Sequence, residues 1–205
     1  MKPALIPSLL EQLKRVASTD SLRNPYDASE CLQNLRVYLE TLCSYPYSGH
    51  LLIGEAPGHK GCALTGIPFT SQRVLSSSTH PFIIELQPSL SVSGNVTEAS
   101  ATVVWDYLSD CSAVPAMWNV FPFHPHKPGN LQSNRTPKTT EVHTGRRYVE
   151  LILDILRPTS VIAVGRTSAT AMGHLFPDLG METVGHPSFG GKADFLAGVG
   201  SAGIV

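Results

Sequence analysis

The chain has 205 residues, 42% of them hydrophobic, so it can bury one core of ordinary size, and we expect a single domain over residues 1–205 with a helical part at 1–47. A net charge of −1 excludes a global field that would attract a polyanion or a membrane surface, so any polyanion site must be a local patch. The four cysteines form no Cys-x-x-Cys pair, and no signal peptide or apolar stretch of membrane-spanning length is visible, which favours a cytoplasmic protein with reduced thiols.

Hydrophobic residues at helical spacing predict four helices along the chain. The first spans residues 9–16, and the second spans residues 32–43 after a capping-box pattern at 27–30. A third runs from residues 95–98 towards Leu108. The clearest one covers residues 148–156 and is stopped by Pro158.

Four short apolar runs alternate with these helices, at residues 50–54, 115–120, 160–165 and, more weakly, 181–185. They are apolar on both faces and partly β-branched, which is typical of a buried parallel sheet. We therefore predict an α/β fold, a three-layer α/β/α sandwich with a central, mainly parallel four-stranded sheet. In such a sheet the segments after the strands surround one ligand crevice. Residues 76–93 mix polar and apolar residues with two prolines, and we expect a long connection there.

The segment after the first strand places a carboxylate in a loop of glycines and prolines. Glu55 follows the strand directly, and Pro57 and Gly58 stop any helix, so a rigid turn should hold the carboxylate at the floor of the crevice. Such a group can act as a general base or stabilise a developing cation, although a surface or salt-bridged Glu fits the same pattern. The loop lacks the P-loop pattern of phosphate-binding proteins.

An aromatic ring and a carboxamide are the next candidates. Phe69 follows a Gly and a Pro, and its ring can either form a platform for a planar base or fill the core. Asn119 ends the second strand, and its carboxamide has the donors and the acceptor needed to bind an amide-like edge, such as the N3–H and O4 of uracil. A turn-forming Asn is the alternative.

The chain from Cys111 to Thr140 has no acidic residue, and residues 124–147 contain five Lys and Arg against Glu141 alone. Prolines and a glycine argue against a long helix there, so we expect a basic, extended loop that suits a phosphate backbone, with solvated charge as the alternative. His124 and His126 have no acidic or Cys partner at a convincing spacing, and we expect no metal site.

Polar residues also follow the fourth strand. His186 comes first, and Ser188 can donate to a phosphate or cap the next helix. Phe189 is a hydrophobic residue in a polar, flexible loop, where it can insert into a base stack.

These motifs, taken together, resemble those of the uracil-DNA glycosylase superfamily. Residues 54–58, GEAPG, are similar to the first motif of its thermostable iron–sulfur type, and residues 65–69, TGIPF, resemble its single-strand-selective monofunctional branch. Asn119-Val120, the strand at 161–165 and His186-Pro187-Ser188 occur in the family's order, so the resemblance covers about residues 48–192.

The resemblance implies a role for each motif. A uracil is flipped out of DNA, stacked on Phe69 and bound by Asn119. His186 hydrogen-bonds the uracil O2, while Glu55 orients the attacking water and stabilises the sugar cation. Gly54 and Ala56 would complete the base pocket. The DNA contacts implied are Pro57, Gly58, Ser71, Lys127, Arg135, Ser188, Phe189 and Lys192.

The implied activity is that of a monofunctional DNA glycosylase of base-excision repair, acting as a monomer without metal or organic cofactor. The cysteines lack the arrangement of the iron–sulfur branch, so we expect no cluster. Gly58 stands where the most stringent uracil enzymes have a bulky Tyr, which leaves hydroxymethyluracil, hypoxanthine and xanthine as further candidate bases. A catalytically silent member that binds nucleic acid or a partner protein, and a hydrolase of free nucleosides, are the alternatives.

Overall fold

The computed structural model describes residues 1–188 and 190–204, and its strands form two sheets. The strands are β1 (Leu22–Arg23), β2 (Tyr47–Gly54), β3 (Val114–Asn119), β4 (His124–Pro125), β5 (Ser160–Val164) and β6 (Glu182–Val184). A parallel sheet has the order β3-β2-β5-β6, and β1 pairs with β4 as a small antiparallel ribbon. All four runs predicted as strands form the parallel sheet, so that prediction is confirmed.

The strand register brings the carboxyl ends of the sheet together. Gly54 at the end of β2 pairs with Asn119 at the end of β3, and Val164 at the end of β5 pairs with Val184 at the end of β6. All residues of β3 are buried. Because successive side chains of a strand point to opposite faces, both faces of the sheet are covered by helices, as in the predicted three-layer sandwich.

The helices that flank the sheet include each of the four predicted from hydrophobic spacing. They are α1 (Ile6–Lys14), α2 (Ser29–Ser44), α3 (Cys62–Thr65), α4 (Gln72–Ser77), α5 (Pro81–Leu86), α6 (Ala99–Leu108), α7 (Thr139–Leu156), α8 (Arg166–Leu175) and α9 (Lys192–Ser201). One hydrophobic core extends through them from Ile6 to Ile204. None of the helices within the described residues is long and apolar enough to cross a membrane.

The long connection expected at residues 76–93 is wrong, because α4 ends and α5 forms within it. Pro81 stands at the first helical position, where its missing N–H would have had no partner within the helix. His80 caps α5 by accepting a hydrogen bond from the backbone of Phe82, and Phe82, Ile83 and Leu86 are buried. Pro81, which was expected to prevent regular structure, is instead the first residue of a helix.

The capping box expected at residues 27–30 is also absent: Ala28 precedes α2 and offers no side-chain cap. A capping-box contact occurs instead at α7, where Glu141 accepts a hydrogen bond from the backbone of Lys138. The N-terminus of α6 is capped differently, because the Glu98 side chain accepts hydrogen bonds from the backbone N–H groups of both Ser100 and Ala101.

The basic segment was expected to lack a long helix, and this is wrong from Thr139 onward, where α7 begins. Gly145 did not break that helix. A Cβ atom at this glycine would lie 2.1 Å from the carbonyl oxygen of Val120, so the missing side chain lets α7 contact the backbone that follows β3. The extended part of the segment therefore ends at Lys138.

Candidate functional site

A cleft of about 850 Å³ lies at the carboxyl ends of the parallel strands. The last residues of β2, β3 and β5 and the segments that follow β2 and β6 all contribute to its lining, as the sheet topology predicts. The cleft brings together many of the residues singled out in the sequence: Gly54, Glu55, Ala56, Pro57, Gly58, Phe69, Asn119, Arg135, His186 and Ser188.

The side chains of Asn119 and Phe69 both lie close to Gly54. A Cβ atom at Gly54 would lie 2.7 Å from Oδ1 of Asn119 and 2.8 Å from Cζ of Phe69. The pairing of β2 with β3 places the carboxamide beside the glycine, and Asn119 is only 5% exposed. A carboxamide and a ring edge thus border the same small part of the cleft, which suits a planar polar group.

Phe69 adopts an uncommon backbone conformation that aims its ring at the cleft. Its φ is +54°, a left-handed value that is unfavourable for a bulky residue. The indole N–H of Trp105 donates to the carbonyl of Phe69 at 3.0 Å and helps to hold this conformation. The ring is half-buried and lines the cleft, so it is not sealed inside the core.

Glu55 enters the cleft on a backbone that is fixed to the end of β3. Its carbonyl accepts a hydrogen bond from Phe121 at 3.1 Å, and that of Gly54 accepts one from Val120 at 2.8 Å. The side chain is half-buried, and its Oε1 atom makes no hydrogen bond to the described residues. Burial raises the pKa of Glu55, while the side chain of Thr136 acts in the opposite direction. The geometry leaves a carboxylate oxygen for a ligand or a water molecule.

His186 packs against the end of β5, where Gly165 has a φ of +83°. A Cβ atom at Gly165 would lie 3.3 Å from Cδ2 of His186, so the glycine makes room for the ring. Burial lowers the pKa of His186, which favours the neutral imidazole at pH 7. The backbone N–H of Ser188 donates to Nδ1 at 3.1 Å. The proton of the neutral ring is therefore on Nε2, which is a hydrogen-bond donor.

Arg135 lines the cleft but differs from the expected phosphate contact. Its Nε donates to the carbonyl of His126, and its terminal nitrogens donate to the carbonyls of Thr136 and Ser21. The same nitrogens form a two-pronged ion pair with Glu141 at 2.6 and 2.7 Å. All five N–H donors of the guanidinium are thus engaged within the protein. This corrects the expectation, because Arg135 binds the loop before α7 to its neighbours.

Other predicted DNA contacts do not line the cleft. Ser71 is buried and caps α4, since its hydroxyl accepts a hydrogen bond from the backbone of Val74. Lys127 and Lys192 are exposed outside the lining. Phe189 lies outside the described residues. Ser188 does line the cleft, but its hydroxyl contacts His186 rather than capping α9, whose N-cap is Gly191.

The structure adds cleft residues that the sequence analysis missed. Glu98 and Ser100 reach the cleft from the start of α6. Asn134 accepts a hydrogen bond from the backbone of His59 at 3.0 Å, which ties the loop after β2 to the basic segment. The predicted start of the third helix at residues 95–98 gave a signal for Glu98 alone. The other contacts join segments distant in sequence and left no local pattern.

The histidine pair of the basic segment has a structural role. His124 lies with Nδ1 2.8 Å from the carbonyl of Pro57 and Nε2 3.2 Å from that of Leu131. Among residues 1–188 and 190–204, no group of three or more His, Cys, Asp or Glu is arranged to hold a metal ion. The four cysteines are free thiols.

Comparison with known proteins identifies the family. The family model of the uracil DNA glycosylase superfamily matches residues 44–196. Among solved structures, the crystal structure of SMUG2 from Pedobacter heparinus is similar in fold, with a TM-score of 0.68 over 97% of this chain and 96% of that chain at 16% sequence identity. A search of curated protein sequences gives no match. Since the family model spans most of the chain and agrees with the fold, this protein belongs to the uracil DNA glycosylase superfamily.

Proposed function

We propose that the protein is a monofunctional DNA glycosylase that hydrolyses the N-glycosidic bond of uracil, or of another deaminated base, in DNA. The observation that supports this most directly is the convergence of Glu55, Phe69, Asn119 and His186 on one cleft. A carboxylate, an aromatic ring, a carboxamide and a neutral imidazole are the groups that this reaction needs. A protein that only bound DNA would need no such set.

Base recognition would take place beside Gly54. The target base leaves the duplex, because its glycosidic bond is not accessible inside the stack. Its ring contacts the ring of Phe69, and Asn119 pairs with its N3–H and O4 edge. Gly54 and Ala56 bring the backbone close to the base. A Cβ atom at Gly54 would lie 2.7 Å from Oδ1 of Asn119, so the glycine leaves the carboxamide the room it occupies.

In the reaction, the carboxylate and the imidazole would stabilise charges of opposite sign. As the bond between C1′ and the base nitrogen breaks, its electron pair goes to the base and positive charge develops on the sugar. The Nε2–H of His186 donates to the anionic O2 of the base, and Glu55 stabilises the sugar cation. Glu55 also orients the water that adds to C1′ and accepts its proton, so the products are the free base and an abasic site.

DNA binding would depend on local contacts, since the chain is nearly neutral. The exposed Lys127 and Lys192 would contact phosphates, and Pro57, Gly58, Ser188 and Phe189 would lie against the displaced nucleotide. Arg135 would act indirectly by fixing the loop on which Thr136 stands. We propose a cytoplasmic monomer that works in base-excision repair without a cofactor.

The test is a cleavage assay. Purified protein is incubated with single- and double-stranded oligonucleotides that contain uracil, hydroxymethyluracil, hypoxanthine or xanthine, and abasic sites are then converted to strand breaks with alkali. We expect breaks at one or more of these bases, and a loss of about 100-fold or more in Glu55→Gln and Asn119→Asp.

Glu85→Gln is the matched control, because Glu85 is exposed on α5 and does not line the cleft. No cleavage at any of the four bases would refute the proposal. DNA binding without reaction would support the catalytically silent alternative, and turnover of free deoxyuridine without DNA would support a nucleoside hydrolase.

A further inference from the structure

The hydroxyl of Ser100 has a partner that is not explained by its position in α6. Ser100 lies in the first turn of that helix and is only 8% exposed. Serines near a helix start usually cap it, but here Glu98 accepts from the backbone of Ser100 at 3.1 Å and from that of Ala101 at 2.6 Å. The Ser100 hydroxyl is therefore not needed as a cap. It donates instead to Oγ of Ser188 at 3.2 Å.

Ser188 connects this bond to the imidazole. Its Oγ lies 3.1 Å from Nδ1 of His186, and its backbone N–H donates to the same nitrogen. Because the N–H can only donate, Nδ1 is an acceptor, and the Ser188 hydroxyl near it points its proton towards that lone pair. The lone pairs of Ser188 Oγ are then left to accept from Ser100. All these hydrogen bonds have the same direction, from α6 towards the imidazole.

We infer that Ser100 is a positioning residue that holds the Ser188 hydroxyl against Nδ1 of His186, where it supports, together with the backbone N–H of Ser188, the tautomer in which Nε2 is the donor. This inference rests on the proposed function, in which Nε2–H donates to the leaving base. It assigns a role to a residue on α6, far in sequence from the loop after β6. It also explains why the Ser188 hydroxyl does not cap the helix that follows.

The start of α6 is itself fixed against the cleft. A Cβ atom at Gly61 would lie 3.1 Å from Cγ of Glu98 and 3.0 Å from the carbonyl of Thr70, so Glu98 packs on the loop after β2. Glu98 is also the charged residue that acts on His186 through space. Ser100 is thus held at the same end of α6 that contacts the loop of Glu55.

The test compares Ser100→Ala with Thr102→Ala. Thr102 is in the same helix, and its hydroxyl donates to the carbonyl of Glu98 at 3.0 Å, but it is exposed and does not line the cleft. Alanine is favourable in a helix, so both variants should fold, which thermal unfolding verifies. Ser100→Thr, which keeps the hydroxyl, serves as the conservative variant.

The readout that does not depend on activity is the ¹⁵N NMR spectrum of the His186 side chain. In the wild type and in Thr102→Ala we expect the pattern of a neutral ring with its proton on Nε2. In Ser100→Ala we expect the Nδ1 resonance to shift and the ring to be protonated at a higher pH, because the Ser188 hydroxyl is free to turn away from Nδ1 while its backbone N–H keeps the proton on Nε2. Ser100→Thr should restore the wild-type pattern.

Cleavage kinetics give the second readout. We expect Ser100→Ala to lower kcat about threefold to tenfold, the size of one hydrogen bond, with KM unchanged, and to move the acid side of the pH–rate profile to higher pH. An unchanged His186 spectrum in Ser100→Ala would overturn the inference even if the wild type is an active glycosylase. Absence of cleavage by the wild type, with the spectra as expected, would instead refute the proposed function alone.

Discussion

Gly54 is the residue at which an added methyl group would disturb the cleft most directly. In Gly54→Ala the Cβ atom would have to displace Asn119 or Phe69, both less than 3 Å away. We expect kcat/KM for base removal to fall more than about tenfold, and the free energy of unfolding to fall by about 1–3 kcal/mol because of the overpacking. Cleavage assays and urea unfolding measure the two effects.

Gly180→Ala is the control for this substitution, because nothing lies within 4 Å of a Cβ atom at Gly180 and its φ is not in the left-handed range. Gly180→Ala should change neither kcat/KM nor the free energy of unfolding. A Gly54→Ala protein with wild-type activity would show that Asn119 and Phe69 do not need their observed positions.

The carboxylate of Glu55 is expected to lower stability at neutral pH. Its pKa is raised by burial in the folded state, so folding favours the protonated form. The protonated Glu55 therefore stabilises the folded state. This stabilisation is fully present below the unfolded pKa of about 4.3 and is lost as the pH rises through the folded pKa. Glu55→Gln should therefore raise the melting temperature at pH 7.5, with the gain shrinking at pH 4. A gain that is equal at both pH values would contradict this.

At the scale of single residues, a place at or just after the carboxyl end of a strand was the signal that predicted which residues line the cleft. Glu55 and His186 each follow a strand closely, Asn119 ends one, and the sheet topology brings them to one edge. Arg135 and Ser71 were assigned by charge or by resemblance, and their partners were not visible in sequence. The guanidinium of Arg135 binds Ser21 and Glu141, which lie 114 and 6 residues away.

Among the elements, the loop before α7 depends on the ion pair between Arg135 and Glu141, whose side chains are 18% and 17% exposed. In Arg135→Met we expect the free energy of unfolding to fall by about 2–4 kcal/mol, because Glu141 loses its partner. Arg135 holds the pKa of Glu141 below its ordinary value, so this stabilisation is present at neutral pH and is lost as the pH falls through the folded pKa.

Thermal unfolding between pH 3 and pH 7 tests this prediction. The stability difference between the wild type and Arg135→Met should be largest at pH 7 and smaller at pH 3, where only the lost hydrogen bonds to the carbonyls of His126, Thr136 and Ser21 remain. Lys127→Met is the control, since it removes one positive charge from the same segment at an exposed position. An equal loss in both variants would mean that net charge, rather than the ion pair, is responsible.

The loop after β2 has room for a larger side chain at Gly58. The nearest atom to a Cβ at this position is Nδ2 of Asn134, at 3.9 Å, which is an ordinary contact. We expect Gly58→Tyr to fold normally and to narrow the range of bases, with removal of hydroxymethyluracil, hypoxanthine and xanthine reduced about tenfold or more relative to uracil. The oligonucleotide panel measures this. An equal reduction for all four bases would contradict it.

Periodicity and strand composition predicted α1, α2, α6, most of α7 and the four sheet strands, since these depend on which face each element buries. They did not predict α3, α4 and α5, which are six residues or shorter, and they also missed the ten-residue α8. The start of α7 was also missed, because Gly145 reads as a breaker until its contact with Val120 is known.

For the whole molecule, a single hydrophobic core from Ile6 to Ile204 supports our proposal of one domain that includes the N-terminal helices. We expect one cooperative unfolding transition. Far-ultraviolet circular dichroism and the fluorescence of Trp105 and Trp118 should give the same urea midpoint, and sedimentation should give a monomer. Separate midpoints would show that residues 1–47 form an independent unit.

The contact between Gly145 and Val120 has a consequence for how this cleft can change. Val120 directly follows Asn119, so the distance between α7 and the sheet also determines where that carboxamide stands. A side chain at 145 would push α7 away from the backbone of Val120 and would shift the neighbouring Asn119 from outside the cleft. We therefore expect substitutions of Gly145, although it lies on a helix outside the cleft, to be tolerated as poorly as substitutions of the cleft residues.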